Sequence, residues 1–185
     1  ANLLSAHNDQ LDLAQEVQRL NDALTRQMDE VAQIQRALLP QGPPDVPGLD
    51  ILARCRGTPY LSGDYYDFFP HPDGQVGLFI ADVSGKGAGA ATVMAMLRSM
   101  LHAFAGSDRR PSHLLAYANH ELLDSRMPIG FVTAIYAAVD PRTGEIEYAS
   151  AGHPPPIVAG ARARLLEGHA CPPLGIVRDL SACDQ

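Results

Sequence analysis

Apolar residues recur every third or fourth position from Leu3 to Leu39, with no glycine or proline to interrupt them. Set in heptads, the a positions hold Leu3, Gln10, Val17, Leu24, Val31 and Leu38, and the d positions hold Ala6, Leu13, Leu20, Gln27 and Ile34. That spacing, sustained over about five heptads, predicts one long helix with a coiled-coil seam. Gln10 and Gln27 interrupt the seam, as polar residues do that fix register at a cost in stability. The competing expectation is a helix packed on its own domain.

The pattern changes at Pro40. Pro43, Pro44 and Pro47, with Gly42 and Gly48, stop the helix and form a stiff connector. The expected division is a helical linker, residues 1–39, and a domain, residues 40–185. Strands are expected at Leu49–Arg56 and Val76–Asp82, with a turn at His71-Pro72-Asp73-Gly74 reading as a hairpin. Ala88–Phe104 places Val93, Met96, Leu97, Met100, Leu101 and Phe104 on one helical side. A second helix is expected from Ser112, the presumptive N-cap after Pro111. Phe131–Val139 and Glu145–Ser150 read as strands joined through Asp140-Pro141-Arg142-Thr143-Gly144, followed by short strands at Ile157-Val158 and Arg162–Leu166. Strands, two helices, then more hairpin strands make an antiparallel α+β fold with segregated helices, not a doubly wound one.

Composition narrows the function. Hydrophobic residues at 46 % and charged residues at 19 % describe an ordinary globular chain of 185 residues. A net charge of −7 argues against nucleic acid, and Arg54-x-Arg56 and Arg109-Arg110 are too short to track a phosphate backbone. Cys55, Cys171 and Cys183 lack C-x-x-C spacing, so neither a disulfide framework nor a zinc site is expected, and a reducing cytoplasm fits. No run of 18 apolar residues exists, so no membrane contact is expected of this stretch.

The candidate chemistry lies in two short phrases, Ser62-Gly63-Asp64-Tyr65-Tyr66-Asp67-Phe68 and Asp82-Val83-Ser84-Gly85-Lys86-Gly87. Each of Asp64 and Asp82 sits in a glycine-bearing bend at the end of an apolar run. Singly, each could be a turn-maker or cap; together they form the start of an oxygen site for Mn²⁺ or Mg²⁺. A shared cation would also relieve the cost of two neighbouring charges. Asp67 is either a third ligand or a solvent-facing strand residue. His153, fixed between Ala151-Gly152 and three prolines, is either a general acid or second-shell donor, or a histidine bonded within its own loop. Thr133 and Asn119 carry no chemical signal of their own. Gly85-Lys86-Gly87 fails the G-x-x-x-x-G-K-[ST] phosphate-loop pattern.

Five stretches in order, Ile34-Gln35-Arg36-Ala37-Leu38-Leu39-Pro40, the two aspartate phrases, Phe131-Val132-Thr133 and Ala151-Gly152-His153-Pro154-Pro155-Pro156, resemble the RsbU and SpoIIE type of bacterial phosphatase. These form a branch of the metal-dependent PPM (type 2C) serine/threonine phosphatases. The resemblance implies a β-sandwich flanked by helices with two Mn²⁺ or Mg²⁺ ions. It assigns Asp64 and Asp82 as metal ligands, with Val83 adding its carbonyl. It also implies hydrolysis of phosphoserine or phosphothreonine on a STAS-domain anti-sigma-factor antagonist, without a covalent phosphoenzyme. Residues 3–39 would form a homodimer and relay the signal of an upstream sensor domain. The family usually continues for about sixty residues past the Pro173-Leu174-Gly175-Ile176 stretch, judged by domain size, with further metal-binding aspartates. Asp179 and Asp184 lack the glycine context of those ligands, so the domain is expected to be C-terminally incomplete. A phosphatase-like scaffold that binds the partner without hydrolysis is the rival reading.

Overall fold

The computed structural model describes residues 2–55, 62–104, 108, 110–125, 127, 130–160, 162–166 and 171–180, with side chains of the first helix from residue 7 onward. Arg56, Arg109, Cys183 and Asp184, and the side chains of Leu3 and Ala6, lie outside the described residues.

Helix α1 runs Asn2–Leu38, which at the α-helical rise is about 55 Å long. It ends at the first proline of the connector. Four strands follow: β1 Asp64–Pro70, β2 Val76–Val83, β3 Val132–Asp140 and β4 Glu145–Ala151. They form one antiparallel sheet in the order β1-β2-β3-β4. Helices α2 Ala88–Phe104 and α3 Pro111–Asp124 connect β2 to β3. A two-stranded ribbon, β5 Ile157–Val158 with β6 Arg164–Leu165, completes the list among the described residues.

Strand alternation sorts the sheet. Tyr65, Phe69, Phe79, Ala81, Val83, Ala134, Tyr136, Ala149 and Ala151 join Val93, Met94, Leu97 and Leu101 of α2 and Leu114, Leu115, Ala118 and Leu122 of α3 in one core. Packing is close enough that a Cβ on Gly77 would fall 2.0 Å from the Tyr136 hydroxyl. The opposite face carries Asp64, Tyr66, Ile80 and Asp82, and Ile80 is 48 % exposed. The antiparallel α+β fold with helices on one side agrees with the sequence. Among the described residues the expected sandwich is represented by this one four-stranded layer, and the short β5–β6 ribbon is a separate sheet.

Three expectations need correction. Residues 51–55 are not a strand; only an isolated Val46–Leu49 bridge forms there, and Ile51 packs on the Val46, Val76 and Val139 cluster instead of joining a ladder. Ser112 does not cap α3. Arg110, extended at φ −65° and ψ 123°, is the N-cap, and Pro111 takes the first turn, where its missing N–H costs nothing. Cys55 is free and exposed, whereas Cys171 is disulfide-bonded. Spacing along the chain could not reveal that pairing, which depends on tertiary proximity. Among the described residues no helix is long and apolar enough to cross a membrane.

Candidate metal centre

Asp64 opens β1 and Asp82 stands near the end of β2, and the ladder makes them direct partners across the two strands. Residues directly opposite point to the same face, with Cβ atoms about 4.5–5.5 Å apart. Both side chains are exposed, and neither forms an ion pair among the described residues. On its other side Asp82 pairs with Thr133 of β3. The row Asp64, Asp82, Thr133 therefore crosses the open face of the sheet.

The backbone is shaped around this row. The Val83 N–H donates to Gly63 O at 3.1 Å, and a Cβ added to Gly63 would lie 2.2 Å from the Val83 carbonyl oxygen. Only glycine leaves that oxygen its space. Beyond Val83, Gly85 at φ 96° and Gly87 at φ 84° turn the chain into α2. The loop is pinned from the other side: Ser84 N–H donates to Phe131 O at 2.9 Å, and Phe131 N–H donates to Ser84 Oγ at 2.8 Å.

His153 reaches the same place from a different direction. After β4, Gly152 takes φ 65° and bridges to Ala134, and its missing Cβ makes room for Pro173. The His153 ring then lies 2.8 Å by Nδ1 from Thr133 Oγ1. Burial pulls the imidazole below its ordinary pKa, while the charges of Asp82 and Asp64 push it up. A cavity of about 460 Å³ collects Asp64, Asp82, His153, Tyr66, Arg54 and Cys55 along its wall. The Cys55 thiol is raised by burial and by Asp64.

Asp67 is not part of this group. Three residues beyond Asp64, an odd number, it faces the other side of the sheet and is buried. Its carboxylate accepts from Tyr65 Oη at 2.5 Å and from Phe68 N–H at 2.8 Å, and meets His102 Nε2 of α2 at 2.7 Å, with Arg98 Nε 4.0 Å away. Burial and this carboxylate push the Tyr65 phenol far above its usual range. Asp67 is thus neither a ligand beside Asp64 nor a solvent-facing residue; it ties β1 to α2.

Three residues with no chemical signal of their own in the sequence contribute. Thr133 orients His153. Gln35 of α1 donates its amide to Ser62 O and accepts from Ser62 N–H at 3.3 Å, and Ser62 Oγ in turn accepts from Asp64 N–H at 3.1 Å. Asn119, 1 % exposed, holds the C-terminal segment by accepting from Gly175 N–H and donating to Val177 O, both at 2.8 Å.

Two adjacent carboxylates and a backbone carbonyl kept open by a glycine are hard oxygen donors of the kind Mg²⁺ and Mn²⁺ take. The residues present fit such an ion. Among the described residues, no cluster of three His, Cys, Asp or Glu side chains that could hold a metal ion gathers, so the side-chain donors available to an ion beside one another are the carboxylates of Asp64 and Asp82.

Residues 72–185 match the family Stage II sporulation protein E (SpoIIE). The chain is 30 % identical over 141 residues to the phosphoserine phosphatase RsbU of Bacillus subtilis, covering 76 % of this chain and 42 % of that protein. It superposes on the RsbU and RsbW domains of Rv1364c from Mycobacterium tuberculosis with a TM-score of 0.57 and 28 % identity, over 66 % of this chain and 34 % of that one. The SiaA-PP2C domain of Pseudomonas aeruginosa shares the fold, with a TM-score of 0.65 at 19 % identity over 84 % of this chain and 64 % of that one. The chain thus spans about two fifths of the length of RsbU. With the sheet, the paired aspartates and these matches in hand, the chain belongs to the Stage II sporulation protein E (SpoIIE) family.

Proposed function

We propose that this chain carries part of the active centre of a divalent-metal-dependent serine/threonine protein phosphatase, with a phosphorylated STAS-domain protein as substrate. The observation that carries the reading is the Asp64–Asp82 pair, two like charges in register on an open face with no cation partner among the described residues. Like charges directly opposite in a sheet are destabilising. A site that keeps them is arranged for a cation.

Asp64, Asp82 and the Val83 carbonyl are the groups that would hold Mn²⁺ or Mg²⁺. When bound, such ions supply a deprotonated water nucleophile and neutralise phosphoryl oxygens. The chain's own part is to keep the two carboxylates abreast through the β1–β2 ladder, and to hold the Val83 carbonyl open through Gly63. The stretch of residues 51–55 and the open sheet face wall the cavity around them. A scaffold without hydrolytic activity is favoured by one observation, the count of two protein carboxylates among the described residues.

Residues 3–39 are proposed to join two copies through the heptad seam and to relay an upstream sensor, because the seam residues from Gln10 to Ile34 are exposed, while Leu38 at the helix end packs on the core. Leu13, Val17, Leu20, Leu24 and Ile34 are each at least half exposed, from 50 to 64 %.

The deciding experiment is phosphate release from a phosphoserine STAS-domain substrate, with and without Mn²⁺, on this chain and on one extended past Gln185. Metal-dependent release from either supports the enzyme. Metal binding and substrate binding without release from either leave the scaffold.

A further inference from the structure

The reaction proposed above leaves one chemical need unmet by the carboxylates. Breaking the bond between phosphorus and a seryl or threonyl oxygen releases an alkoxide, a poor leaving group unless it receives a proton as the bond breaks. Asp64 and Asp82 would hold the cation under this reading and could not serve this need while they did. Of the proton carriers on the wall of their cavity, which include Tyr66 and Cys55, His153 is the one whose ordinary range lies close to neutrality. It lines the same cavity, on the Thr133 side of the aspartate row.

We propose that His153 is the proton donor to the leaving oxygen, and that Thr133 is the positioning residue that selects its Nε2 for that task. The inference rests on the phosphatase reading. Thr133 Oγ1 engages Nδ1 at 2.8 Å. With Nδ1–H donated to Thr133, the other ring nitrogen becomes the one that gains and loses a proton, the logic by which an acceptor on one imidazole nitrogen assigns the chemistry to the other. No described residue bonds Nε2. The ring is also rigidly held: Gly152 at φ 65° is locked against Pro173 before it, three prolines follow it, and Ser150 Oγ donates to its carbonyl at 3.3 Å. The charged and titratable groups that line the cavity with His153 are Asp64, Asp82, Arg54, Cys55, Tyr66, Tyr65 and Asp67, and the charges of Asp82 and Asp64 act on the ring.

The proton balance is simple. A water oxygen forms the new bond to phosphorus and sheds its proton to solvent. The bond from phosphorus to the seryl oxygen breaks, and its electron pair stays on that oxygen. The Nε2 proton of the imidazolium moves to it, giving the free alcohol. Neutral His153, still bonded through Nδ1–H to Thr133, then regains a proton from solvent.

Two measurements test this. The first compares His153→Asn with the parent on a phosphoserine peptide and on p-nitrophenyl phosphate, whose phenolate leaves without help. It uses whichever form of the chain releases phosphate. General-acid contributions are about 10²–10⁴-fold, so the loss on the peptide should exceed the loss on the aryl ester by about 100-fold. Equal losses on both substrates would mean a structural role and overturn the proposal. The second needs neither metal nor turnover: the imidazole ¹⁵N spectrum of the metal-free chain, with and without Thr133→Val. The neutral His153 ring should carry its proton on Nδ1, and Thr133→Val should abolish that preference. A neutral ring protonated on Nε2 in the parent would accept from Thr133 and would gain and lose its further proton at Nδ1, away from the leaving oxygen, which would sink the assignment. Because this second result does not depend on activity, it separates failure of the His153 role from failure of the phosphatase reading.

Discussion

Gln35 and Ser62 are joined by both ends of one side-chain amide: Gln35 Nε2 donates to Ser62 O, and Ser62 N–H donates to Gln35 Oε1. Ser62 lies two residues before Asp64 and accepts the Asp64 N–H on its own hydroxyl. The long helix therefore holds the backbone that carries a candidate ligand. Gln35→Ala leaves two part-buried backbone groups without their partner. Each such orphan costs about 1–3 kcal/mol, less where water can reach it. The expected result is a lower Tm together with weaker Mn²⁺ binding, although Gln35 touches no ligand. Calorimetric titration checks this, and an unchanged affinity would show that the helix contact does not reach Asp64.

Asp82→Asn separates stability from binding. In the metal-free chain it removes a repulsion between directly opposed carboxylates, about 0.2–1 kcal/mol, so the variant should melt at the parent's Tm or slightly above it. The parent should gain stability with Mn²⁺, about 2.7 kcal/mol at a hundredfold excess over Kd, and the variant should gain much less. Thermal melts with and without Mn²⁺ read both effects. An equal metal-induced shift in the two proteins would remove Asp82 from the site.

Gly63→Ala tests the carbonyl. The new Cβ would meet Val83 O at 2.2 Å, a distance no relaxation of a side chain can relieve, because both atoms are held by the backbone. Forcing the strands apart should cost about 1–3 kcal/mol. Mn²⁺ affinity should also fall although both carboxylates remain. A variant that loses stability but keeps the parent's affinity would show that Val83 O is not a donor.

Much of this arrangement was legible before folding. The turn residues around Asp73-Gly74 and Asp140-Pro141 announced the two hairpins, and Gly63 before Asp64 and Gly85 three residues after Asp82 marked where the backbone bends. Pairing Asp64 with Asp82 needed the register of β1 on β2, which follows from a hairpin turn at residues 71–75 once the strand ends are known. Asp67 was readable too, since three residues along a strand reverse the face, but its partner His102 lies 35 positions away on α2. Thr133 and Gln35 lie in stretches that carry the family resemblance, but the contacts they make were not readable. Their importance comes from what tertiary folding sets beside them, a histidine 20 residues on and a backbone turn 27 residues on. The 51–55 segment misled because its apolar alternation fits a packed loop as well as a strand.

The β3–β4 turn should confer acid sensitivity. Arg142 grips Asp140 through Nε at 3.1 Å and a terminal nitrogen at 2.7 Å, and its N–H donates at 2.9 Å. These bonds, the side-chain ones first, hold the carboxyl well below the usual carboxylate range. A carboxyl whose pKa is depressed by folding gives stability above its unfolded pKa, about 3.9, and that stability is lost as pH falls below it. Asp140→Asn should therefore melt below the parent at neutral pH, and the gap should narrow under strongly acidic conditions. A gap that stays constant from pH 7 to about pH 2.5 would mean that the ionised carboxylate is not what stabilises the turn.

The two faces of α1 make the last prediction separable from the domain's own stability. Ala32 and Gln35 are buried, Met28 and Leu39 partly so, and Ala32 packs on Ala91 of α2. That spacing of four, three and four is one helical stripe. The heptad positions Val17, Leu20, Leu24, Val31 and Ile34 form a neighbouring stripe, and all five are exposed. A helix that spends one stripe on its domain and leaves another apolar stripe open is arranged to meet a second helix along that open side. Leu20→Lys with Leu24→Lys places two charges on the seam and none on the docking stripe. Light scattering should then report conversion of a dimer to a monomer. The temperature at which the sheet melts should move little once measured on monomers. A parent that is monomeric at tens of micromolar would end the dimer proposal. A double variant that unfolds the domain would show that the seam packs on the domain after all.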